Sequence, residues 1–149
     1  MSEEQTCELP ESNPLDGEIK AILENSKTIA VVGLSDKPER DSYTVAKYLK
    51  DQGYSIIPVN PTRSEILGEK SYPDLASIPL KVDIVDIFRN IEAIPGIVDE
   101  AIKIPAKVVW MQLGLAHNQS AQKARDAGLV AVQSRCLKIE HGRLICSKE

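Results

Sequence analysis

At 149 residues, 42% of them hydrophobic, the chain is long enough to bury one proper core but too short for a cofactor domain joined to a separate substrate domain. A net charge of −4 excludes the basic stripe that general nucleic-acid binding requires, so any phosphate site must be local. No apolar stretch approaches the roughly 20 residues of a membrane span, and the acidic start lacks the apolar core of an export signal.

Residues 1–14 contain Pro10, Pro14 and several glutamates without any period, which predicts a flexible arm ahead of a single domain over 15–149. Leu15, Ile19, Ile22 and Leu23 recur at helical spacing and predict an amphipathic helix over 15–25. Residues 29–32 are short, apolar and rich in β-branched side chains, as a strand covered on both faces should be. Gly33 then permits a sharp turn, and Ser42 is the expected N-cap of a helix through 51 that stops at Gly53. Such a helix would aim its unpaired N–H groups and positive dipole end back at the turn, which suits a phosphate.

Further strands are expected over 54–59, 82–88, 107–113 and 129–132, with helices over 92–104 and 120–127. Residues 62–79 read as a long connection with a short helix near 74–77, and 136–146 as a small hairpin around His141 and Gly142. Alternating strands and helices imply right-handed βαβ units: an α/β, Rossmann-like, doubly wound parallel five-stranded sheet with helices on both faces. The expected strand order is 3-2-1-4-5, with the winding reversing between the first and fourth strands and the ligand beyond the carboxyl ends.

Residues that matter should therefore follow strand ends. After the first strand come Gly33, Leu34, Ser35, Arg40 and Ser42; a G-x-G-x-x-G dinucleotide loop is absent, yet amides, the Ser35 hydroxyl and the Arg40 guanidinium can still hold a pyrophosphate. The second strand ends in Val59, Asn60, Pro61 and Arg63 without the carboxylate an NAD enzyme places on the ribose; an apolar edge there suits adenine and Arg63 a ribose phosphate. Phe88 and Arg89 close the third strand, where an aromatic beside an arginine could cover a base or a pantetheine arm, and Asp86 could pair with Arg89 or cap the next helix. On the fourth strand Gln112 is placed to reach across the switch point, and Trp110 reads as packing. No partner can be assigned to His117 that would make it a general base, and His141 is expected to face solvent. Cys7, Cys136 and Cys146 follow neither a CxxC nor a Cys/His metal spacing and read as reduced thiols in the cytoplasm; Cys136, beside Arg135, is a reactive thiol or a small inert one.

The segments Val-Val-Gly-Leu-Ser, Arg40-Asp41-Ser42, Val-Asn-Pro, Val-Asp-Ile-Val-Asp-Ile-Phe-Arg, Val-Trp-Met-Gln-Leu-Gly and Arg-Cys-Leu-Lys-Ile-Glu, in that order, resemble the stand-alone CoA-binding domain proteins. That family is similar in fold to the nucleotide domain of the succinyl-CoA synthetase α subunit. The resemblance implies coenzyme A across the carboxyl edge of the sheet: Gly33, Ser35 and Arg40 near the pyrophosphate, Val59, Asn60 and Pro61 near the adenosine, Phe88 and Arg89 on the other rim. Arg63 near the 3′-phosphate is a looser carry-over, because the synthetase has a lysine in a glycine-rich turn there. The synthetase's phosphohistidine domain and ATP-grasp partner have no counterpart here. The implied function is a binder of CoA or an acyl-CoA that acts as carrier, sensor, homo-oligomer or complex subunit; the alternatives are an NADP-dependent oxidoreductase and thiol–disulfide handling of CoA at Cys136.

Overall fold

The structure, a computed structural model, describes residues 9–146. The chain runs α1 (Asp16–Asn25), β1 (Thr28–Val32), α2 (Asp41–Asp51), β2 (Ser55–Val59), a small hairpin of β3 (Glu65–Ile66) and β4 (Glu69–Lys70), then β5 (Ile84–Ile87) and α3 (Ile94–Lys103). It continues with β6 (Val108–Met111), α4 (Asn118–Asp126), β7 (Val130–Val132) and α5 (Leu137–His141). A 3-10 turn over Leu75–Ser77 starts at Asp74, whose carboxylate accepts from the Ser77 amide at 2.9 Å.

The main sheet is parallel and five-stranded, in the order β2-β1-β5-β6-β7. Counted along the core strands this is 2-1-3-4-5, so the expected order 3-2-1-4-5 is corrected, and the winding reverses between β1 and β5. Pro58 supplies one physical reason. The Pro58 carbonyl turns away from β1 and accepts from the Tyr72 amide at 3.0 Å, and on that outward side a proline has no N–H to offer a further strand. A single bridge from Tyr72 to Val59 closes the β2 edge instead. A second reason lies at the foot of β5. Asp83 Oδ2 accepts from the Lys27 and Thr28 amides at 2.7 and 3.1 Å, which pins β5 directly beside β1. Burial pushes the Asp83 carboxyl upward, but the two amides and Lys107 outweigh it and hold it below its ordinary value.

Alternation along the strands sends Ala30, Val32, Val85, Ile87 and Met111 to one face, covered by Ile94, Ile97 and Val98 of α3 and Ala121 and Ala124 of α4. Ile29, Val31, Ile84 and Trp110 face the other way, under Ile19 and Leu23 of α1, Val45 and Leu49 of α2, and Leu137 of α5. Leu15, expected on the inner face of α1, precedes the helix as its N-cap and is exposed. The described part of the expected arm is tied down: Asn13 exchanges hydrogen bonds with the Gln133 backbone at 2.7 and 2.8 Å, and Asn118 with the backbone of Leu9 and Glu11. Residues 1–8 of that arm, Cys7 among them, lie outside the described residues.

The tail is helical where a hairpin was expected. Leu137, Glu140 and His141 are all buried, and their i, i+3, i+4 spacing is a helical stripe turned toward α1 and α2. His141 is therefore not solvent-facing: its Nδ1 lies 2.9 Å from the Tyr48 hydroxyl, Tyr48 and Tyr54 meet the ring edge-on, and burial lowers its pKa. Beyond it the chain winds through a π-helical turn, Gly142–Cys146, and Arg143 pairs with Asp16 and Glu140.

Asp86 neither pairs with Arg89 nor caps a helix. It sits wholly buried in the middle of β5 between Val31 and Trp110, and neither carboxyl oxygen has a hydrogen-bond partner among the described residues. Loss of solvation pushes its pKa well above the ordinary 3.8, so folding favours its protonated form relative to the unfolded chain. A raised carboxyl pKa costs nothing below 3.8 and costs progressively more as pH rises from there toward the folded value. Asp86→Asn should thus unfold at higher urea than the parent at pH 8, with the advantage shrinking as pH falls toward 4. A difference that stays constant across pH would show that Asp86 is ionised in the fold.

Candidate functional site at the carboxyl edge

Three loops leave the sheet on either side of the switch point, and between them lies a groove of about 730 Å³. The β1 loop contributes Gly33, Leu34, Ser35, Arg40 and Ser42. From β2 come Asn60, Pro61 and Arg63, and from β5 Phe88 and Arg89. Val59 and Gln112, also expected at the site, are elsewhere. Val59 is a core residue of β2 at 4% exposure, and Gln112, buried, lines a neighbouring groove and accepts the Leu137 amide through Oε1 at 3.1 Å.

Gly33 makes this geometry possible. At φ +89° it adopts a conformation that disfavours side chains, and a Cβ there would fall on the Phe88 carbonyl and come within 2.8 Å of Arg89 Cδ. The Phe88 amide donates to the Val32 carbonyl at 2.8 Å, so the first strand turns away at the point where the rim of β5 is closest.

Several polar groups of the groove are already spent on its shape. Ser42 does not cap α2, which begins one residue earlier with Arg40 as N-cap; its buried hydroxyl accepts from the Ser35 amide at 3.0 Å and fastens the loop to the helix. The Gly33 amide donates to the Val59 carbonyl at 3.0 Å, and the Ser35 hydroxyl accepts from the Lys37 amide at 3.0 Å. Asn60 bridges loops: Nδ2 donates to the Leu34 carbonyl at 2.9 Å, while Oδ1 takes the Thr62 amide and hydroxyl. Arg63 is bound to Asp36 through Nε at 2.7 Å, and that guanidinium holds the Asp36 carboxyl below its ordinary value.

What remains for a ligand is mixed in charge, with three cations beside the exposed carboxylates of Glu39 and Asp41. Arg40, Arg89 and Lys37 are exposed at the groove and form no ion pair among the described residues. Asp41 and Ser42 belong to the first turn of α2, whose leading N–H groups have no intrahelical acceptor and open onto the same space. Elsewhere His117 serves as the N-cap of α4, its Nδ1 accepting from the Ser120 amide at 3.2 Å, and Trp110 is fully buried with Nε1 donating to the Arg135 carbonyl at 2.9 Å. No group of His, Cys, Asp and Glu among the described residues is arranged to hold a metal ion. A local signal for the structural roles of Ser42 and Asn60 existed: both are short polar side chains beside tight turns.

Residues 27–142 match the family described as CoA binding domain. The chain belongs to the CoA-binding domain family. Coenzyme A is its cofactor. The uncharacterized protein YneT of Bacillus subtilis (strain 168) is 45% identical over 129 residues, spanning 87% of this chain and 96% of that one. A solved structure of a hypothetical protein from Pyrococcus horikoshii OT3 superposes with a TM-score of 0.88 at 43% identity, covering 93% of this chain and 97% of the other. The ADP-forming acetate–CoA ligase II α subunit of Pyrococcus furiosus is 41% identical over 64 residues, which are 42% of this chain but 14% of that subunit. The chain thus aligns over nearly its whole length with proteins of similar size, and over 42% of it with a small part of a larger ligase subunit.

Gly33→Ala tests the close approach on which the groove depends. Forcing an alanine into a positive φ costs about 1–3 kcal/mol before any clash with the Phe88 carbonyl is counted, so urea denaturation should show at least that loss. An unchanged midpoint would mean that β5 can retreat from β1 without penalty.

Proposed function

We propose that coenzyme A lies across the switch point with its diphosphate over the N-terminus of α2 beside Arg40, its adenosine against Pro61 and the Asn60 turn, and its pantetheine arm leaving past Phe88 and Arg89. The observation that carries this reading is the groove in which loops from β1, β2 and β5 meet, lined by Arg40 from the β1 loop and Arg89 from the β5 loop, neither of which forms an ion pair among the described residues. A diphosphate gains there from the helix dipole and from guanidinium groups that can each bind two oxygens. A 3′-phosphate at Arg63 would share that guanidinium with Asp36, since Nη2 has no partner among the described residues while Nε and Nη1 are engaged.

The protein acts as a non-catalytic holder of CoA or an acyl-CoA in the cytoplasm, as a carrier, a sensor or a subunit of a larger assembly. Its similarity to a small part of a ligase subunit supports a cofactor-holding role, and membership of a CoA-binding family favours CoA over the NADP-dependent alternative. No helix among the described residues is long and apolar enough to cross a membrane.

Millimolar CoA should raise the melting temperature by mass action, dephospho-CoA should raise it less, and NADPH should leave it unmoved. Arg40→Ala should weaken CoA by about 1.5–3 kcal/mol in calorimetric titration, the loss of a charge-assisted bond to phosphate. Full affinity in that variant would move the diphosphate away from α2.

A further inference from the structure

Past Phe88 and Arg89 the carboxyl edge opens into a second groove of about 610 Å³, which shares those two residues and Asp41 with the first. Its lining is different in kind. Leu113 and Ile139 are among the large apolar side chains left in water, at 66% and 55% exposure, and both lie here together with Val45, Leu115 and the ring of Phe88. Water-exposed leucine and isoleucine are unremarkable singly, but a pair on one concave wall is an apolar surface awaiting cover. Lys138 also lines the groove, its Nζ standing 5.7 Å from the Tyr48 ring centre.

One buried polar group stands out against this lining. Gln112 is 5% exposed and lines the groove, with Oε1 taken by the Leu137 amide; its nitrogen end has no acceptor among the described residues. Among the described residues only the Asp86 oxygens are sealed away without a partner, so the Gln112 nitrogen still opens onto the groove and is free to donate to a carbonyl oxygen of a ligand.

Resting on the placement of CoA above, we propose that the second groove binds the acyl end of an apolar acyl-CoA, the chain covering Leu113 and Ile139 and the Gln112 amide donating to the thioester carbonyl. The protein is then a holder of aliphatic acyl thioesters in preference to free CoA. Continuity of the two grooves at Phe88 and Arg89 selects this occupant, because an arm leaving the first groove there enters the second directly. Cys136, half-buried in the same lining, becomes a reporter of occupancy.

Calorimetric titration of the full chain with CoA, octanoyl-CoA and succinyl-CoA tests the assignment. Burying several methylenes should make octanoyl-CoA bind about tenfold or more tightly than CoA, with succinyl-CoA gaining nothing. Leu113→Ser with Ile139→Ser, both at exposed positions, should erase that advantage and leave CoA affinity unchanged, and octanoyl-CoA should slow alkylation of Cys136, read by peptide mass, more than CoA does. Equal affinity for CoA and octanoyl-CoA would overturn the acyl assignment alone, whereas failure of CoA itself to bind would remove the underlying reading as well. Tighter binding of succinyl-CoA would replace an aliphatic acyl group with a charged one. A concentration-dependent dimer broken by the serine pair, with no acyl preference, would give this face to a second copy of the chain.

Discussion

The contact between Gly33 and the Phe88 carbonyl governs the shape of the carboxyl edge. Because no side chain intervenes, β1 and β5 stay paired to their last residues, and the two chains then part within a single step. One departs toward α2 and the other toward α3, so a cleft must open between them. At the opposite end of the same strands Asp83 grips the Lys27 and Thr28 amides. The β1–β5 pair is thereby fixed at both ends, and the switch point is a rigid place on which to build.

Around that point the polar side chains divide into those that hold the loops and those left over. Ser42 and Asn60 are consumed by backbone amides and carbonyls, and Arg63 and Asp36 neutralise one another at the rim. Their work keeps the walls of the groove in place before any ligand arrives, which reduces the ordering cost of binding. Arg40, from the β1 loop, and Arg89, from the end of β5, both line the resulting space. A diphosphate-bearing cofactor suits such an arrangement, because its charge can be met from two loops at once. The neighbouring groove continues the same edge with a different chemistry, apolar where the first is charged, as a cofactor with an ionic head and an aliphatic tail would require.

Much of the fold was legible because it depends on local period. Residues 29–32 and their counterparts read as buried strands, the alternation with helices placed α3 and α4, and a short helix was expected near 74–77 where the 3-10 turn lies. The grouping of Gly33, Ser35, Arg40, Pro61, Phe88 and Arg89 followed from the rule that ligands sit beyond strand ends, since that rule needs only the alternation of elements. The order of strands was missed, although Pro58 marks β2 as an edge strand to anyone asking where its missing N–H would point. The tail was missed for a related reason: five residues are too few to show a period, and Leu137, Glu140 and His141 count as a stripe once α1 and α2 are there to receive them.

What the amino-acid order determined alone was therefore the kind of fold, the alternation of its elements and the loops that could meet a ligand, because these rest on interactions within a few residues. Tertiary structure decided which strand lies beside which, which polar side chains are spent on the scaffold, and where Asp86, Gln112 and His141 are buried. Those outcomes depend on residues far apart in the chain competing for the same space and the same hydrogen bonds, and no local pattern records who wins.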